Sequence, residues 1–208
     1  VTLLTELVVV CHGEAACDVA GIVGGDVGCA GLTDRGRQQA RLLAHRLAAD
    51  HAERPFRSLH AAPRLRVRQT ADEIADRLGL AVQVEPDLRE PDHAAADARR
   101  WDDVWSRFGG ALRRYPDRRP AAGAESWHDY LARVQSSLRA LVAGDTVRRI
   151  ILVGHRETVE AVHVLLLGLG RGASARTGFT VDPAGVARWR LEVDPYGHKV
   201  WKLAGHND

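Results

Sequence analysis

A chain of 208 residues with 45% hydrophobic and 27% charged side chains is long enough for one α/β domain with a substantial core, and its ordinary composition argues against disorder. The formal net charge is only +2 and no block of like charge appears, so the charge balance gives no reason to expect a nucleic acid or a membrane surface as partner. Three cysteines, Cys11, Cys17 and Cys29, are an odd count without zinc-site spacing, which argues against a disulfide framework and a structural metal. No apolar run approaches the roughly 18 residues that a membrane span needs. A cytoplasmic protein is the expectation.

The first element is Leu7 to Cys11 (LVVVC), a continuous β-branched run that predicts a strand buried on both faces and ending at His12-Gly13. Residues 12–32 are glycine-rich without periodicity and predict a loop. Thr33 is placed to cap a helix whose apolar positions Ala40, Leu43, Ala44 and Leu47 repeat at helical spacing. A short strand is expected near Phe56–His60. Pro63 then opens a helix carrying Val67, Ala71 and Ile74 on one face and ended by Gly79. Ala81–Val84 predicts another short strand.

Residues 85–124 show little sustained periodicity and read as a substrate-covering insertion in a single domain spanning 1–208, with one short helix near Trp101–Phe108. Ser126 starts a longer helix reaching about Ala143. Arg149–Val153 predicts a second buried strand before Gly154-His155, and Glu157–Leu167 the helix after it. Strands near 186–193 and 198–203 are separated by the turn Asp194-Pro195-Tyr196-Gly197. Alternating strands and helices imply an α/β fold of three layers, α/β/α, around a mostly parallel sheet.

Ligands of open α/β sheets bind beyond the carboxyl ends of the strands, which is where His12 and His155 fall. The helix after His155 also points its first amide groups towards that place, which favours an anionic small-molecule ligand. Around these histidines the motifs become specific. They are Cys11-His12-Gly13-Glu14, Leu32-Thr33-Asp34-Arg35-Gly36-Arg37-Gln38-Gln39-Ala40, Ala61-Ala62-Pro63-Arg64-Leu65-Arg66-Val67-Arg68-Gln69-Thr70-Ala71, Leu88-Arg89-Glu90, Ala124-Glu125-Ser126 and Gly154-His155-Arg156. In this order they resemble the histidine phosphatase (phosphoglycerate mutase-like) superfamily over residues 7–170.

The resemblance implies that His12 attacks phosphorus to form a phosphohistidine, that Arg66 and His155 hold the phosphoryl oxygens, and that Glu90 carries the leaving-group proton. It implies no cofactor, and it makes a homodimer an expectation. Glu125 reads as partly structural.

Two departures fall in the phosphate pocket. Cys11 replaces the family's arginine before the nucleophile, and Asp18 replaces a phosphate-binding asparagine. Losing a charge-assisted hydrogen bond costs roughly 1.5–3 kcal/mol, and a carboxylate about 4 Å from a phosphate oxygen adds roughly 4 kcal/mol of repulsion at an effective dielectric near 20. Arg156, where the family has glycine, and Arg64 are candidate compensating cations, unless Asp18 or Glu157 neutralises Arg156. Gly13 lies beside the same pocket, and Trp101, Trp105, His93 and Tyr115 of the insertion are candidate lining groups.

Three readings follow. The first is a phosphomonoesterase with a rebuilt pocket. The second is a repurposed biosynthetic enzyme using His12, His155 and Glu90 for acid–base work, such as dehydration, isomerisation, cyclisation or ester hydrolysis, on a substrate without phosphate. The third is a binding protein without catalysis. A metal held by Cys11, His12, Asp18 and His155 is a minor variant of these, since their spacing matches no zinc signature.

Overall fold

The computed structural model describes residues 2–143, 148–170 and 172–208. Strand β1 (Thr2–Cys11) is buried from Thr5 onward, so the buried run begins two residues earlier than the apolar sequence does. The segment expected to be loop contains one short helix, α1 (Ala16–Ala20), ended by Gly21 in the left-handed conformation. Helix α2 (Asp34–Glu53) starts at Thr33, whose hydroxyl accepts the Gly36 amide at 3.0 Å, and buries Ala40, Leu43, Ala44 and Leu47 as their spacing requires. Strand β2 (Ser58–Ala61), helix α3 (Leu65–Leu78) and strand β3 (Val82–Val84) follow.

The insertion holds α4 (Trp101–Phe108), bounded as expected, among short turns of three-ten helix. Helix α5 (Trp127–Val142) opens with a reciprocal cap between Ser126 and Asp129. Strand β4 (Arg148–Gly154), helix α6 (Arg156–Leu166) and the strands β5 (Val186–Val193) and β6 (Lys199–His206) complete the chain.

The six strands form one sheet in the order β3-β2-β4-β1-β5-β6. The first four are mutually parallel, and the tail adds β5 and β6 antiparallel at one edge. The connections through α2 and α3 step one way across the sheet and the connection through α5 steps back. Right-handed crossovers therefore put α2 and α3 on one face and α5 on the other. The packing agrees, with α2 against α3 and α5 against α6.

The main core runs through β1, β4 and the inner faces of these helices. A smaller cluster of Val23, Ala96 and Val104, with Trp101 against it, joins the insertion to the loop after α1. Asp97 strengthens that junction by accepting the amides of Gly25, Val27 and Gly28 at 2.8, 2.8 and 3.0 Å. Among the described residues, no helix is long and apolar enough to cross a membrane.

Candidate active site

The register of the sheet brings the two histidines together. Cys11 on β1 pairs with Gly154 on β4, so His12 and His155 leave adjacent parallel strands at the same level, and the His12 amide donates to the Gly154 carbonyl at 3.0 Å. Their rings meet edge to face with centroids 5.4 Å apart. The turn after His12 is held against α2. A Cβ on Gly13 would lie 2.4 Å from the Gly36 carbonyl oxygen, so only glycine lets the chain pass there. The same turn is tied by three motif side chains: the Gly13 amide donates to Thr70, the Glu14 amide to Gln39 and the Leu32 amide to Gln69. Gln39, Gln69 and Thr70 thus hold the loop that carries His12.

His12 has one available tautomer. Its Nδ1–H donates to the Gly13 carbonyl at 2.7 Å, and Arg66 Nε donates to its Nε2 at 3.1 Å, so the Nε2 lone pair faces the arginine and the cavity. Burial, helped by Arg66 and His155, holds this imidazole well below its usual value, which keeps it unprotonated.

Arg66, near the start of α3, is 6% exposed and spreads its guanidinium over three partners. Besides His12 it donates to the Gly24 carbonyl at 2.6 Å and to His155 Nδ1 at 3.2 Å. Because an arginine can only donate, His155 Nδ1 is an acceptor and the ring proton lies on Nε2. That nitrogen is 3.0 Å from Glu90 Oε2 without hydrogen-bond alignment.

Glu90 is 2% exposed. Burial alone would raise its carboxyl, but His155, Arg66 and Arg64 outweigh burial and hold it below the usual carboxylate range. Its backbone is clamped by Arg133, which donates to the carbonyls of Asp87, Arg89 and Glu90 and pairs with Glu125 at 2.5 Å. Glu125 also accepts the Asp92 amide, a structural role like that expected of it.

The two departures have different placements. Cys11 is fully buried, lines no part of the cavity, and its thiol is pushed up to about 12 by burial. Asp18 does line the cavity, at its water-exposed mouth. Arg156 lines the cavity as well and makes no ion pair with Asp18, Glu157 or any other described residue. Arg64 is not a cavity cation, because it is engaged by Glu90 and Asp26. Sequence reasoning passed over Gly24, Asp97 and Arg133, and also Cys29. Cys17 and Arg66 pull that thiol below its usual value.

The cavity measures about 460 Å³, a size suited to a small molecule. His12, Arg66, Glu90 and Arg156 line it together with His93, Trp101 and Trp105 from the insertion. Tyr115 instead packs on Phe108, with Arg118 over its ring. Trp127 also lines the cavity, and its buried indole N–H has no hydrogen-bond partner among the described residues. No group of three or more His, Cys, Asp or Glu side chains among the described residues is arranged to hold a metal ion.

Known proteins are similar to this chain in sequence and fold. Phosphoserine phosphatase 1 of Hydrogenobacter thermophilus is 27% identical over 169 residues, covering 80% of this chain and 78% of that protein. A putative phosphoserine phosphatase 2 of the same organism is 26% identical over 91% of each chain. A mycobacterial glucosyl-3-phosphoglycerate phosphatase, solved with VO3, superposes with a TM-score of 0.80 at 24% identity over 97% of this chain and 98% of that one. The phosphoserine phosphatase of Entamoeba histolytica, solved with 3-phosphoglyceric acid, gives 0.76 at 19% identity over 98% and 97%. The sequence pattern of the histidine phosphatase superfamily (branch 1) matches residues 7–207, and the chain belongs to that superfamily.

Proposed function

We infer that the protein is a phosphomonoesterase acting on a small molecule through a phosphohistidine at His12. The observation that carries this reading is the fixed state of His12: an unprotonated ring, its Nδ1–H bound to the Gly13 carbonyl, and its Nε2 lone pair directed at Arg66 in the cavity. In the first step Nε2 attacks phosphorus and the bond from phosphorus to the ester oxygen breaks. Arg66, His155 and the unpaired Arg156 hold the phosphoryl oxygens, and Arg156 supplies a cation that Cys11 lacks. Glu90 gives its proton to the leaving oxygen. In the second step a water molecule transfers a proton to Glu90 and attacks phosphorus, the P–N bond breaks, and inorganic phosphate leaves.

The low resting value of Glu90 fits a proton carrier that is loaded by substrate. A phosphoryl dianion draws Arg66 and His155 to itself and places negative charge near the carboxylate. Both changes raise the carboxyl, so protonation accompanies binding.

The test is hydrolysis of p-nitrophenyl phosphate from acidic to neutral pH, with mass-spectrometric trapping of the phosphorylated intermediate. Turnover, a phosphoryl group on His12 and its loss in His12→Ala are the expected results. A folded protein that neither turns over an aryl phosphate nor traps phosphate would overturn the reading, leaving acid–base chemistry on a substrate without phosphate as the use of the site.

A further inference from the structure

Around the phosphoryl-binding groups the cavity walls carry more acidic than basic side chains. Five carboxylates line it, Asp18, Glu90, Asp102, Glu157 and Glu160, against the three guanidiniums of Arg66, Arg113 and Arg156. Three of the carboxylates have cations of their own: Glu90 has Arg64 and Arg66, Glu160 has Arg113 at 2.7 Å, and Asp102 has Arg100 at 3.3 Å. Asp18 and Glu157 have no cation within ion-pair distance among the described residues. Once a phosphoryl dianion has taken Arg66 and Arg156, these two face the rest of the ligand uncompensated.

Glu160 adds an independent sign. It stands one turn further along α6 than Arg156, is only 5% exposed, and its Oε1 makes no hydrogen bond. A buried carboxylate oxygen without a donor is costly unless a ligand supplies one. Beside these acids Trp101 and Trp105 stack with centroids 5.5 Å apart, Trp105 keeps 43% of its surface exposed, and Phe179 completes an aromatic lining. Carboxylates next to aromatic faces form the environment that binds an alkylammonium group.

We propose that the substrate is a phosphomonoester carrying a protonated amine on an aromatic or other apolar body, and that Asp18, Glu157 and Glu160 select for that amine and against carboxylated phosphoesters. The assignment rests on the phosphomonoesterase reading and narrows it.

Three matched substrates test it: tyramine O-phosphate, para-ethylphenyl phosphate and the phosphate ester of para-hydroxyphenylpropionate, which differ only in a positive, absent or negative tail. The expected kcat/KM order is amine, neutral, carboxylate, with about tenfold per step, the scale of a partly screened charge contact. Added salt and Glu157→Gln should both compress the amine-to-neutral ratio, which is the readout rather than either absolute rate. Equal rates for all three, or preference for the carboxylate, would overturn the proposal. If none is turned over, the phosphomonoesterase reading fails, and calorimetric binding of the same compounds still decides the charge preference. Tighter binding of the amine would sustain it, and equal binding would reject it.

Discussion

β1 and β4 lie side by side and bury charge at both ends, and the two ends are built on opposite terms. At the amino end Glu6 on β1 faces Arg149 on β4, and Glu6 is fully buried. Arg149 lies 2.5 Å from one of its oxygens, while Arg190 at 3.0 Å and Arg54 at 3.6 Å share the other. Asp50 extends the network to Arg149 and Arg188. Every charge there has a partner, and no ligand is needed. At the carboxyl end His12, His155, Arg66 and Glu90 are just as buried, yet Glu90 Oε2 and His155 Nε2 lie close without alignment and Arg156 stands unpaired over a cavity. The same two strands thus carry a closed ion network that stabilises and an open one that awaits a ligand. Burial of charge alone does not mark a functional site; incomplete satisfaction beside a cavity does.

The largest expected effect comes from breaking the open end. Glu90→Gln keeps the shape and the acceptor towards Arg64 but removes the proposed proton carrier, so kcat should fall roughly 10²–10⁴-fold. The fall should be steeper for an alkyl phosphate than for p-nitrophenyl phosphate, whose leaving group departs without a proton. Steady-state rates on both esters check this, and an equal fall on both would show that Glu90 only positions its neighbours.

Breaking the closed end should act on stability instead. Arg149→Ala strands Glu6 in the core and takes a guanidinium from above the Phe56 ring. The cost should be about 3–5 kcal/mol in urea unfolding, with kcat per folded molecule little changed. A large loss of kcat in the folded variant would mean that the two ends are coupled through β1 and β4.

The closed end was the less legible of the two in the sequence. The continuous apolar run starts at Leu7, but Glu6 is buried too, by arginines 143 and 184 residues further along the chain. Periodicity sees only near neighbours, so it cannot register that pairing. The open end was legible because its residues sit in local motifs at strand ends, and Ser126, Trp101–Phe108 and Gly79 marked their elements through caps and spacing. Cys11 and Asp18 show the limit of that reading. They are seven residues apart and were assigned to one pocket, yet the strand buries the first beneath it and α1 carries the second to its mouth. The clamps made by Asp97 and Arg133 were missed for the same reason as Glu6, since their partners are backbone groups brought close only by the fold.

Acid unfolding separates the two ends at smaller amplitude. His12 and His93 at the site are held below 6.5 by burial, so below that pH the unfolded chain binds protons that the folded chain refuses, and stability falls as pH drops. Each such group contributes a slope of up to about 1.4 kcal/mol per pH unit. Glu6 acts in the same direction but in a lower window. Its burial would raise it, but Arg149 and Arg190 hold it below 4.5, so its contribution is complete above that pH and is lost as pH falls further. Unfolding free energies measured stepwise from neutral to acidic pH should therefore show two windows, the upper one set by buried histidines and the lower one by Glu6 and Asp50 together with the site's Glu90. His12→Asn should lessen the upper slope and leave the lower intact, and Glu6→Gln should lessen the lower slope and leave the upper intact, with a lower starting stability. His163, lowered to about 4 by burial and by His206, belongs to neither end and adds to the upper slope in both variants. If His12→Asn leaves the upper slope unchanged, His12 takes up its proton in the folded protein as readily as in the unfolded chain. The lone pair on which the nucleophilic role depends would then be absent under mildly acidic conditions.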